Sequence, residues 1–204
     1  MAWIAAVLTA AGESTRMGRP KPLLPWDGGS LVGYQVRSLA EVGVSEVIVV
    51  LSHAALDVVA HVRGADRLRI LINPNYRQGR TTSIRMGLGE VSRRADVVLL
   101  LAVDQPRPPE LIRHLLQEHA DTGALITMPS YQGRGGHPVV FQRSLLPELL
   151  EISEERQGVR EVMERHRDQV HRLEVDSPVV RLDLNTWAEY QEALALYAAP
   201  SSGA

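Results

Sequence analysis

Trp3-Ile4-Ala5-Ala6-Val7-Leu8 runs directly into Thr9-Ala10-Ala11-Gly12-Glu13-Ser14-Thr15-Arg16-Met17-Gly18-Arg19-Pro20-Lys21. A short, near-continuous apolar run marks a strand buried on both faces, and such strands belong to parallel sheets. The loop at the carboxyl end of a parallel strand is where open α/β sheets bind ligands. Ala10, Ala11 and Gly12 are small enough to let main-chain N–H groups approach a ligand closely. Arg16, Arg19 and Lys21 face one acid, Glu13, so the loop is an anion site in outline. Two familiar phosphate motifs are absent. A P-loop needs four residues between its glycines and then Lys-Ser/Thr, but here five separate Gly12 from Gly18 and Arg19 follows. Ala10 stands where the dinucleotide fingerprint has its first glycine. On these residues alone, a plain βα turn and a phosphate site both remain open.

The same pattern recurs outward from this loop. Glu46–Leu51, Arg69–Ile72, Val97–Leu101 and Ala124–Met128 are further apolar runs. Helical stripes lie between them: Leu31, Tyr34 and Leu39 within Ser30–Val42, and Leu111, Leu115 and Leu116 within Glu110–His119. The alternation predicts an α/β fold: a three-layer, Rossmann-like, mostly parallel sheet with helices on both faces. Past residue 129 it loosens. Val139–Phe141, after Gly135, Gly136 and Pro138, predicts one antiparallel strand near 138–142. Val170–Val175 and Val179–Leu182 are two more candidate strands. Glu151–Arg172 mixes both charge signs around Val159, Val162 and Met163 and reads as a solvated helix face. A final helix starts at Asn185 or Thr186, with Thr186 and Glu189 at capping-box spacing. The reading is one domain over 1–197 and a frayed tail over 198–204.

Composition narrows the function classes. The chain has 204 residues, 45% hydrophobic and 23% charged, which fits a globular protein rather than a disordered or fibrous one. Its net charge of −2 makes it a poor non-specific partner for nucleic acid. Cysteine is absent, which removes disulfides, thiolate zinc sites and a Cys nucleophile. No apolar run approaches the length of a membrane span and no targeting segment is visible, so a cytoplasmic location with no membrane partner is expected. His114-x-x-x-Glu118-His119 misses both zinc-protease spacings, and Ser14 has no evident Ser-His-Asp partnership. Of the 22 basic residues, Lys21 is the only lysine. The arginines read as surface cations chosen by compositional bias. A lone compact ammonium in the first loop asks for another reason: a mobile point charge can follow charge migrating between phosphates, as a rigid guanidinium fork cannot.

Leu8-Thr9-Ala10-Ala11-Gly12-x-Ser14-x-Arg16-Met17-Gly18-x-x-Lys21-x-Leu23-Leu24 resembles the signature loop of MobA-like nucleotidyltransferases. Within that family it is most similar to molybdenum cofactor cytidylyltransferases. Asn73-Pro74-Asn75-Tyr76-x-x-Gly79-x-x-x-Ser83-Ile84-x-x-Gly87-Leu88 resembles the segment that contacts the base, although Arg80 departs from the family pattern and Thr81, Thr82 or Ser83 also suits a plain helix cap. Asp104-Gln105-Pro106, after Val97–Val103, resembles the segment whose Asp binds catalytic Mg²⁺; its other reading is a turn or cap Asp. Leu182-Asp183-Leu184-Asn185-Thr186 resembles the segment supplying a second metal carboxylate. Gly133-x-Gly135-Gly136-His137-Pro138 resembles the Gly-His-Pro segment near the acceptor, which suits His137 to substrate contact rather than proton transfer.

The resemblance implies a set of roles. Lys21, Arg16 and Asp104 are catalytic. Thr9, Ala10, Ala11, Gly12, Lys21, Asn73, Gly79, Ser83 and Asp104 bind the nucleotide. Gln105, Gly136 and His137 meet the acceptor, and Asp104 and Asp183 hold Mg²⁺. It also implies CTP as donor, because guanine-using relatives tend to have Gly where this chain has Ala11, and a molybdopterin-type cofactor as acceptor, with a molybdoenzyme as a candidate protein partner. Two alternatives stay open: a sugar- or polyol-phosphate nucleotidyltransferase, and a non-catalytic carrier that delivers the finished cofactor.

Overall fold

Ala5, Ala6, Val7 and Leu8 are fully buried, as a strand in the middle of a covered sheet requires. The computed structural model describes residues 2–13 and 17–198. Its strands are β1 (Ile4–Ala10), β2 (Pro25–Trp26), β3 (Gly29–Ser30), β4 (Glu46–Ser52), β5 (Leu68–Asn73), β6 (Val97–Ala102), β7 (Ile126–Tyr131), β8 (Arg134–Gly135), β9 (Val139–Gln142) and β10 (Val170–Glu174). Its α-helices are α1 (Leu31–Glu41), α2 (Arg80–Gly89), α3 (Pro109–Thr122), α4 (Leu146–Leu150), α5 (Val159–Arg165) and α6 (Trp187–Ala198).

The main sheet has eight strands in the order β10-β7-β9-β6-β1-β4-β5, with β8 attached to β7; β2 and β3 form a separate hairpin. Strand β1 pairs in parallel with both β4 and β6, and β9 runs antiparallel between β6 and β7. The reversed strand expected near 138–142 is therefore β9. The two faces of β1 alternate. Ala6, Leu8 and Ala10 pack with Leu31, Leu39, Ile112 and Leu115 on the side of α1 and α3, and Tyr190 and Ala193 of α6 join that cluster. Val7 packs on the opposite side with Ile48, Val50, Leu88, Leu149 and Val162, under α2, α4 and α5. Three layers follow from the period-2 alternation of buried strands. Gly87 lets α2 approach β1, since a Cβ there would stand 2.4 Å from Val7 Cγ1.

The structure corrects four of the sequence expectations. Val179–Leu182 is not a strand: Pro178–Arg181 forms a 3-10 turn, capped by the Ser177 hydroxyl on the Val179 N–H. Glu151–Arg172 is not one solvated helix. It contains α5, whose Val162 is 1% exposed, and the start of β10. Arg107 is not a surface cation but is 1% exposed. The last helix starts at Trp187, although Thr186 and Glu189 do form the expected box, each accepting from the other's main-chain N–H. The proposed tail beyond residue 198 lies outside the described residues.

Candidate active site

Register assembles the site. Thr9 stands opposite Ala102, so β1 and β6 end at the same sheet edge, and Val103 N–H donates to Thr9 O at 2.8 Å. Just beyond, Leu184 N–H donates to Asp104 O at 2.8 Å. That main-chain bond carries the segment holding Asp183 and Asn185 alongside the tip of β6. Lys21 closes the group. Its ammonium donates to Asp104 Oδ2 at 2.7 Å and to Asn185 Oδ1 at 3.0 Å, the latter contact spanning 164 positions of sequence. Gln35, fully buried on α1, directs its side-chain amide at the carbonyls of Ala102, Val103 and Gln105 and fixes the turn that carries Asp104.

Arg107 is the residue that sequence reading missed, because one arginine among many carries no local signal of burial. Its guanidinium donates to Pro106 O at 2.7 Å, His137 O at 2.7 Å, Val180 O at 2.8 Å and Leu182 O at 3.1 Å. It thereby ties the Asp104 turn, the His137 loop and the approach to Asp183 to one rigid fork. The peptide between His137 and Pro138 is cis. Burial pushes the Arg107 guanidinium down to about 10, with Asp183 and Asp104 opposing that shift, so it stays charged at neutral pH. The His137 ring opens to the cleft yet is walled by protein. Desolvation, then the Arg107 and Arg80 charges, lower its pKa against the opposing charge of Asp104 and favour the neutral imidazole.

Lys21, Asp104, His137, Asp183 and Asn185 line a cleft of about 670 Å³, within the usual range for small-molecule sites. Thr9, Ala10, Ala11, Gly12, Lys21, Ser83 and Asp104 all face it, as do Gln105, Gly136, His137 and Asp183. Asn73 and Gly79 do not. The buried Asn73 amide is spent on Thr82 Oγ1 and Ser83 Oγ, while its Oδ1 accepts from Asn75 N–H, so it shapes the entry to α2. Gly79, at φ 118°, lies against Glu154. Arg16 and Ser14 lie outside the described residues. The structure also places Tyr76, Arg80, Val159, Arg160 and Met163 on the cleft, none of which the sequence reading assigned to the site; Arg80 was named as a departure from the family pattern, and Val159 and Met163 as part of a solvated helix face.

Two carboxylates beside one ammonium form a hard-oxygen donor set. Desolvation and then the nearby Asp104 charge raise the Asp183 pKa, with Asn185 and Lys21 opposing. A divalent cation would relieve that crowding, and Mg²⁺ is typically held by one or two carboxylates together with substrate phosphates. The donor set fits such a cation, although among the described residues no cluster of three or more His, Asp or Glu able to hold a metal occurs. The raised Asp183 also makes a stability prediction. Ionising it costs folded-state stability, a cost absent below its unfolded pKa of about 3.9 and grown in as pH rises through the higher folded value. Asp183→Asn should melt above wild type at pH 7.5, by no more than about 2 °C because the carboxylate is open to solvent. Scanning calorimetry should show the gap closing as the pH falls towards 4.

Comparison with known proteins agrees with this geometry. Residues 6–170 match the MobA-like NTP transferase domain. The molybdenum cofactor cytidylyltransferase of Escherichia coli K12 is 25% identical over 91% of this chain and 93% of its own length. The nicotine blue oxidoreductase of Paenarthrobacter nicotinovorans is 31% identical over 71% of this chain and 73% of its own. Among solved structures, Rv0371c of Mycobacterium tuberculosis H37Rv superposes with a TM-score of 0.81 at 29% identity, covering 95% of this chain and 98% of that one. A second Rv0371c structure, with TM-score 0.75 and 28% identity over the same shares of the two chains, is a complex with manganese. No helix among the described residues is long and apolar enough to cross a membrane. With its profile match covering most of its length and its small-residue loop, lysine and paired aspartates gathered at one sheet edge, the chain belongs to the MobA-like NTP transferase family.

Proposed function

We propose that this chain, as one domain over 1–197, moves CMP from CTP to the phosphate of a molybdopterin-type cofactor and releases pyrophosphate in the cytoplasm. The observation that carries the reading is the meeting of Lys21, Asp104 and Asn185, with Asp183 alongside, next to the loop at Ala10–Gly12. Thr9, Ala10, Ala11, Gly12 and Ser83 line the donor side of the cleft, and Asn73 holds Ser83 in place from behind through its side-chain amide. Gln105, Gly136 and His137 line the acceptor side. An oxygen of the acceptor phosphate attacks the α-phosphorus in line. The bond from that phosphorus to the bridging oxygen breaks, and pyrophosphate carries away the electron pair. A phosphate monoester has a second pKa near 6 and is already mostly dianionic at pH 7, so no protein base is needed. A neutral His137 suits contact with the acceptor. Lys21, and Arg16 by resemblance, neutralise charge that develops on the phosphates. Asp104 and Asp183 would hold a divalent cation, Mg²⁺ by resemblance, which when bound supplies further charge neutralisation.

Calorimetry with CTP, GTP and ATP, each with Mg²⁺, tests the donor. CTP should bind about ten- to a hundredfold more tightly, the scale available to shape-based discrimination; equal or absent binding of all three defeats the reading. Pyrophosphate release with a panel of acceptors then separates the pterin reading from a sugar- or polyol-phosphate transferase. No turnover despite tight binding would mark a carrier. An assay for turnover of nicotine blue covers the activity named for the Paenarthrobacter relative, and no turnover is expected.

A further inference from the structure

The cleft does not end at the proposed nucleotide. It continues from β6 across β9 to β7, where Val139 and Met128 form its floor, and α5 supplies the opposite wall through Val159 and Met163. These side chains belong to the apolar cluster under α2, α4 and α5, so this part of the cleft is that cluster's open lip. Over these strands the helical layer consists of α4, of five residues, and α5, of seven, which leaves a slot between sheet and helix.

Two cations stand at the rim of this slot. Arg80 opens α2 and Arg160 lies one residue into α5, and both line the cleft. The two helix starts touch: a Cβ on Gly158 would stand 3.0 Å from Thr81 Cγ2, and Glu154 accepts from Thr81 N–H at 2.7 Å. Neither guanidinium makes a hydrogen bond or ion pair with any described residue. The nearby acids are engaged elsewhere, Glu154 on Thr81 and Glu161 on Arg156 and Arg165. Arg80 also faces His137 closely enough to act on its charge.

We infer that this slot is the acceptor-specificity site: its apolar walls select a flat ring system that lays its faces against them, and Arg80 and Arg160 bind an anionic group on it. A polyol or sugar phosphate would leave its hydroxyls without partners against Met128, Val159 and Met163, and unpaired buried polar groups are costly. Methionines adapt to the faces of ring systems and suit such a wall. The inference rests on the proposed function, because it takes the Ala10–Gly12 side as the donor's.

Calorimetric titration with 4-methylumbelliferyl phosphate, a flat aryl monoester, against glucose 1-phosphate and glycerol 3-phosphate tests it. The aryl ester should bind at least about tenfold more tightly than either. Arg160→Ala should weaken aryl-ester binding about tenfold and leave CTP affinity unchanged, a split that general loosening of the fold would not produce. Val159→Ser with Met163→Gln should shrink the aryl preference. Equal or tighter sugar-phosphate binding, or an unaltered aryl-ester affinity in Arg160→Ala, overturns the inference. If wild type binds CTP while showing no aryl preference, the inference alone fails; if it binds no nucleotide, the proposed function fails as well.

Discussion

Asp104→Asn should reduce pyrophosphate release from CTP by about three orders of magnitude or more, and Lys21→Ala by about two to three. The amide keeps the shape of the carboxylate and removes its charge, so the loss reads the charge itself. A single pre-organised group acting on developing charge is worth about 10²–10³ in rate. Asp104 has two tasks, as partner of the ammonium at 2.7 Å and as proposed cation ligand, and sits at the upper end. The side chains of Lys21 and Asp104 are 13% and 24% exposed, so each loses a partly shielded partner when the other is removed. Their effects should therefore be non-additive: the double variant should be little worse than Asp104→Asn alone. Steady-state pyrophosphate assays on the three variants check this. Near-wild-type turnover in either single variant would remove that residue from the chemistry.

Arg107→Met should lower the stability of the chain by about 3–5 kcal/mol, read from the urea midpoint at constant slope. The arithmetic comes from its partners. Four main-chain carbonyls lose a charge-assisted donor, and each buried acceptor left unsatisfied costs about 1–3 kcal/mol, offset in part because the buried charge disappears as well. For a domain whose total stability is about 5–15 kcal/mol, that is a large share. Arg107→Lys should recover part of the loss, since an ammonium keeps the charge but cannot span four acceptors with its three donors. At temperatures where Arg107→Lys is folded, its nucleotide affinity should stay near wild type while turnover drops, because the weakened link is the one from Arg107 to the Val180 and Leu182 carbonyls that leads to Asp183. An Arg107→Met midpoint within error of wild type would show that these carbonyls find other donors.

The strands were readable because burial in the middle of a sheet leaves a crude signature. Val47–Leu51 and Val98–Leu101 are apolar at nearly every position, and each formed a strand. Val179 and Val180 carry the same β-branched signal, yet they sit in a turn. There the carbonyls of Val180 and Leu182 serve Arg107 instead of a neighbouring strand, a tertiary demand that overrides local preference. The resemblances in the first loop, in Asp104-Gln105-Pro106 and in Leu182–Thr186 named Lys21, Asp104 and Asp183, but not how they meet. The bond from Leu184 to Asp104 joins segments with no sequence pattern in common. The buried face of α5 was hidden for another reason. With Val162 inward and charged residues around it, seven residues are too few to display a stripe, and nothing local marks Val159 and Met163 as the wall of a cleft.

The contact between Lys21 and Asn185 has a consequence for biogenesis. Translated from its amino end, the polypeptide exposes its anion loop long before Asp183 and Asn185 clear the ribosome exit. A half-made product therefore has the loop but neither Asp183 nor Asn185 to complete the site. On the proposed function, competence for chemistry would arrive late, when Asn185 docks against Lys21.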